Sequence, residues 1–116
     1  MKNLHEMAIG YKGRVYNLVE QDGETIEVDS NILEQVIMLN NKGYKTLYSC
    51  GGHANEDEYG MYISFEMNHH FRTLPNGWFE YQNTINYKAK KRKYDIDYDI
   101  ALQNFKIWVN QLPKLN

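Results

Sequence analysis

The apolar runs in this chain are short, and turn signals close several of them. Residues Arg14 to Glu20 alternate Val15, Asn17 and Val19 against Tyr16 and Leu18, the period-two pattern of a strand. Gln21-Asp22-Gly23-Glu24 follows, and Asp-Gly is a strong tight-turn dipeptide, so Thr25-Ile26-Glu27-Val28 is predicted to return as the second arm of a hairpin. Asp29 or Ser30 is suited to cap a helix whose face carries Ile32, Leu33, Val36, Ile37 and Leu39. Gly43 suits the left-handed residue that ends such a helix. Tyr44 to Cys50 and Met61 to Met67 read as strands, the second with Tyr62, Ser64 and Glu66 on one face. Leu74 to Trp78 reads as a turn, Phe79 to Tyr87 as a last strand, and Lys88 to Lys93 as a basic loop. A final helix is predicted from Asp95 or Asp97, carrying Ala101, Phe105, Trp108 and Leu112 at helical spacing, with Pro113 as its stop.

Strand, strand, helix, strand, strand, strand, helix is the order of an α+β domain over residues 1–116. The expected architecture is a mostly antiparallel sheet of about five strands with two helices on one face. At 116 residues the chain has enough length for one core. No apolar run approaches the roughly 18 residues that cross a bilayer, and Met1 to Glu6 lacks the apolar stretch of a signal peptide. The lone cysteine, Cys50, makes no internal disulfide. A cytoplasmic protein with no membrane partner is the expectation.

The formal charge of −2 argues against a dedicated nucleic-acid coat, which draws its affinity from neutralising phosphates. The basic run Lys88, Lys90, Lys91, Arg92 and Lys93, flanked by Tyr87, Tyr94 and Tyr98, has the composition of a phosphate-and-base surface. It reads as simply as a solvated loop.

The segment Tyr48-Ser49-Cys50-Gly51-Gly52-His53 is the most unusual in the chain. A strand ends in a hydroxyl and a thiol, turns on two glycines and presents an imidazole. Glycines let a ligand approach the main chain, and successive amides in such a turn can hold an anion. Tyr48, Tyr59 and Tyr62 are placed to stack on a flat base, and Arg72 would add positive charge. Ligand binding is therefore assigned to Tyr48, Ser49, Cys50, Gly51, Gly52, His53, Tyr59, Tyr62 and Arg72. The same residues also read as a structural turn around a buried cysteine. A nucleophilic Cys50 with His53 as base is the catalytic alternative, but no third, orienting group is identifiable. Metal binding by Cys50, His53, His69, His70 and the acids Glu56, Asp57 or Glu58 is disfavoured, because His69 and His70 are adjacent and no second chelating pair exists. No cofactor is expected.

The run Leu39-Asn40-Asn41-Lys42-Gly43-Tyr44-Lys45-Thr46 through Cys50-Gly51-Gly52-His53, with Tyr62-Ile63-Ser64-Phe65 and Leu74-Pro75-Asn76-Gly77-Trp78, resembles a family of small proteins from low-GC bacteria and their phages. Its pattern is Leu-Asn-x-Lys-Gly-Tyr-x-Thr-x-x-x-Cys-x-Gly-His, which marks the family and says nearly nothing about activity. Some members open with a Cys-x-x-Cys pair, as in a small zinc site; this chain has none. Ser49-Cys50 and Gly52 are also similar in kind to the Ser-Ser-Cys-Ser-Gly segment of wybutosine-type tRNA methyltransferases, which bind S-adenosylmethionine. That likeness implies a nucleotide-like ligand.

The expected function is therefore binding of a small anionic, nucleotide-like molecule at Ser49–His53. In a phage setting such a binder would sequester a host immune signal. An enzyme acting on a nucleotide or modified RNA through Cys50 and His53 is one alternative. An inhibitor that docks on a host protein through its acidic loop or basic run is the other. Homo-oligomerisation stays open, since a site shared between chains would suit so small a domain.

Overall fold

The computed structural model describes residues 5–9, 15–21, 23–52, 60–88 and 96–115. Three strands, β1 (His5–Ile9), β2 (Val15–Gln21) and β3 (Glu24–Asp29), form an antiparallel sheet in that order. The β2–β3 register closes at Gln21↔Glu24, and Gly23 has φ +82°, the conformation a two-residue hairpin turn demands. Alternation puts Asn17, Val19, Ile26 and Val28 on one face, and all but the half-buried Ile26 are fully shielded from solvent.

The predicted helix begins later than its expected cap. A short 3-10 turn, Ser30–Ile32, leads into α1 (Leu33–Asn41), and the Asp29 side chain makes no capping bond there. Ile32, Gln35, Val36 and Leu39 are the buried positions of this segment. Gly43 does close the helix, with φ +99°.

The motif from Leu39 to Thr46 is a structural clamp. The Asn40 side chain donates to the Val36 carbonyl (2.8 Å) and to Thr46 Oγ1 (3.0 Å), and accepts the Thr46 N–H (3.0 Å). Lys42 Nζ donates to the carbonyls of Val109 (2.7 Å), Asn110 (3.1 Å) and Leu112 (2.7 Å) at the end of the last helix. Carbonyls at the end of a helix are short of intrahelical donors, the Val109 carbonyl taking only a 3.3 Å bond from the Leu112 N–H, and a cation is favoured at a helix C-terminus. Tyr44 Oη donates to the Pro113 carbonyl at 2.6 Å.

The second sheet contains β4 (Thr46–Cys50), β5 (Gly60–Phe65), β6 (Phe79–Tyr81) and β7 (Thr84–Lys88), in the order β4-β5-β7-β6, all antiparallel. The chain is thus α+β with antiparallel sheets, and the seven strands among the described residues are divided between two of them. Phe79–Tyr87, expected as one strand, is a hairpin. Gln82 takes the left-handed conformation (φ +55°) without glycine, so no Gly or Pro marks the reversal. β1 was equally unmarked, because His5-Glu6-Met7-Ala8-Ile9 has no clear alternation.

Met61, Ile63, Phe65, Ile85 and Tyr87 face inward against α2 (Ile96–Gln111), which contributes Ala101, Phe105, Trp108 and Val109. Each fully buried large apolar side chain contributes about 1.5–3 kcal/mol. Trp78 stacks on Phe105 (centroids 5.0 Å apart) and donates Nε1–H to the Ala101 carbonyl at 3.1 Å. Among the described residues, no helix is long and apolar enough to cross a membrane.

Candidate functional site

The glycine turn at the end of β4 is held from three directions. Asp29 Oδ2 accepts the Gly51 N–H at 2.7 Å, inside the protein. The Gly51 carbonyl accepts both Asn31 Nδ2 (2.9 Å) and Tyr98 Oη. Asn31 Nδ2 also donates to Tyr98 Oη at 2.9 Å, so the phenol donates and accepts in one network. A Cβ on Gly51 would overlap the Asn31 side-chain amide. Gly52 has φ +82°, and a Cβ there would lie 2.7 Å from the Tyr98 ring. Both glycines are thus demanded by close packing. An anion taking up the Gly51 amide would have to displace a carboxylate of the protein itself.

Tyr48, Cys50 and Tyr62 lie beside this turn on the solvent face of the second sheet. The register aligns Cys50 with Tyr62, Tyr62 with Asn86 and Asn86 with Phe79 in one row across the strands. The next row aligns Tyr48, Ser64, Thr84 and Tyr81, and the Ser64 and Thr84 hydroxyls are 2.7 Å apart. Alternation places both rows opposite the core positions Met61, Ile63, Phe65, Ile85 and Tyr87. Four aromatic rings stand open there: Tyr48 is 61% exposed, Tyr62 39%, Phe79 48% and Tyr81 67%. Gly60 pairs with Lys88 one row further on, so an exposed lysine joins the same face.

Ser49 pairs with Ile63 and so belongs to the opposite face of β4 from Tyr48 and Cys50. Cys50 Sγ is half-buried, 4.0 Å from the Gly60 carbonyl oxygen. His53, Tyr59, the acids Glu56, Asp57 and Glu58, and the basic residues 90–93 lie outside the described residues.

Arg72 is placed elsewhere. It lines a cavity with Tyr44 and Trp108, at the end of β4 opposite the glycine turn. The four steps of β4 alone span about 13 Å at 3.3 Å per residue. Arg72 is therefore not grouped with Tyr48 and Tyr62.

His69 and His70 diverge. The His69 ring packs among Tyr44, Phe65 and Phe71, with centroids 5.1, 5.5 and 5.5 Å away. Its Nε2 is buried without a hydrogen-bond partner among the described residues, and burial lowers its pKa below the ordinary imidazole range. His70 is exposed, with φ +50°. Among the described residues, no three His, Cys, Asp or Glu side chains are grouped to hold a metal ion.

Asn86, Thr84, Phe79, Tyr81 and Lys88 were not among the residues expected at the site. The alternation of buried Ile85 and Tyr87 in β7 was the signal that would have placed Thr84, Asn86 and Lys88 outward. No protein-family model, no curated protein and no solved structure matches this chain.

Proposed function

We propose that this chain is a binding protein that holds a small, anionic, nucleotide-like molecule on the open face of its second sheet, beside the glycine turn rather than within it. The observation that carries this reading is the exposure of Tyr48 and Tyr62 on neighbouring strands of one face. Their diagonal placement separates them by about 7–8 Å, which is roughly twice the 3.5–4.0 Å of a ring contact. A flat base held between two rings needs a backbone spacing of that order.

Asn86, in line with Tyr62, offers an amide to a base edge. Lys88, one row further on, offers the cation for a phosphate. The Asp29–Gly51–Asn31–Tyr98 network fixes the end of β4, and so the position of Tyr48, without using its own groups on the ligand. This division of labour matches the rule that sites work best on rigid elements. A mononucleotide suits the net charge of −2 better than a polymer does. A binder of this kind acts by sequestration, the role that a phage setting would give it toward a host nucleotide signal.

Titration of ¹⁵N-labelled protein with AMP tests the placement. The amide signals of Tyr48, Tyr62, Asn86 and Lys88 are expected to shift together. Shifts confined to Gly51 and Gly52 would return the site to the turn, and no shift at millimolar AMP would remove the nucleotide reading.

A further inference from the structure

A cavity of about 490 Å³ lies at the other end of the molecule, between the 69–73 segment, the end of α2 and the residues that follow it. That size is in the range of small-molecule sites, about 300–1,000 Å³. Its walls are aromatic and fixed. Phe71 meets Trp108 edge to face at 5.0 Å and leans on Tyr44 at 5.7 Å. Trp108 Nε1 donates to the Thr73 carbonyl at 3.0 Å, and Tyr44 Oη to the Pro113 carbonyl. The ring heteroatoms of both walls are thus committed to the protein. Leu112 and Leu115 complete the apolar lining.

The polar character of the cavity is one-sided. Its lining includes Arg72 and two histidines and contains no Asp or Glu. Arg72 is exposed at the mouth and has no ion-pair partner among the described residues. A guanidinium presents a planar fork that fits a carboxylate or phosphate with two parallel hydrogen bonds. We infer that this cavity is a second ligand site, independent of the sheet face, for a small monoanion with a flat apolar body. The body would lie against Phe71 and Trp108, and the anionic group on Arg72.

The probes are 1-naphthoate and 1-naphthylmethylamine, which share an apolar body and differ in the sign of their charge. Each indole N–H gives its own NMR signal, and the two tryptophans report different places: Trp108 lines the cavity, whereas Trp78 donates to Ala101. Naphthoate is expected to shift the Trp108 indole signal and leave that of Trp78 in place. The amine should bind at least about tenfold more weakly, and Arg72→Gln should weaken naphthoate by about tenfold or more, the scale of a charge-assisted pair. Arg72 is exposed, so its variant keeps the fold, which the unchanged Trp78 signal verifies. Tyr62→Ala should not affect naphthoate, which separates this site from the sheet face. Equal binding of the two probes, an Arg72→Gln variant that binds as tightly as the wild type, or a silent Trp108 signal would each overturn the inference.

Discussion

The carboxylate of Asp29 accepts the main-chain N–H of Gly51 at 2.7 Å. It joins the last residue of one sheet to the residue that follows β4 in the other. Asp29 was expected to cap a helix, and it instead anchors the turn that was expected to hold an anion. The physical reason is that a buried amide needs an acceptor, and this chain supplies its own.

Removing that acceptor leaves a buried N–H unpaired. Asp29→Ala is therefore expected to destabilise the protein by about 1–3 kcal/mol. Gly51→Ala should cost a similar amount or more, about 1–3 kcal/mol for overpacking, because its Cβ overlaps Asn31. Urea unfolding followed by circular dichroism measures both. A midpoint within error of the wild type for either variant would contradict the structural reading of the turn.

Much of the fold was legible because it rests on local signals. The hairpin at Gly23, the Gly43 stop and the spacing of Ala101, Phe105 and Trp108 all depend on neighbours in sequence. What was not legible depends on distant ones. Gly51 is 22 residues from Asp29, and its carbonyl meets the Tyr98 hydroxyl 47 residues away. Gln82 reverses the chain without a glycine to mark it. The open face of the second sheet was partly legible, since alternation puts Tyr48, Cys50 and Tyr62 together on it. Arg72 was separated from them by the length of β4, which no motif reports.

Lys42 ties the end of α1 to the end of α2 through three carbonyls. Lys42→Met keeps most of the aliphatic stem and removes the donor. It is expected to destabilise the fold by about 1–3 kcal/mol. Amide hydrogen exchange near 108–112 should accelerate more than exchange in β2 or β3. Uniform acceleration would contradict a local capping role.

His69 makes stability depend on pH with a definite sign. Burial keeps its folded pKa below the unfolded value of 6.5. On acidification the unfolded chain takes up the proton first, so the contribution of neutral His69 is complete above about pH 6.5 and is lost as pH falls toward the folded pKa. His69→Phe keeps a ring among Tyr44, Phe65 and Phe71 and removes the titration. It should lose less stability between pH 7 and pH 5 than the wild type, by urea unfolding at each pH. An equal loss would show that His69 does not set the slope.

Replacing Lys90, Lys91, Arg92 and Lys93 with serine removes four positive charges. Lys90 follows Lys88 by only two residues, within the roughly 10 Å over which charges act at 0.1 M salt, so binding of AMP should weaken modestly and less so as salt is raised. A large loss of affinity for single-stranded nucleic acid, with a flatter salt dependence, would instead identify a polymer as the partner.

The central claim is that a base stacks on the open face of the second sheet, and the affinity of Tyr62→Leu for AMP tests it most directly. Tyr62 is exposed, so its replacement by leucine should leave the unfolding midpoint in place. Stacking of one base is worth about 1–3 kcal/mol, so calorimetry should show affinity falling by about 5- to 150-fold. Wild-type affinity in a folded Tyr62→Leu protein would contradict the account.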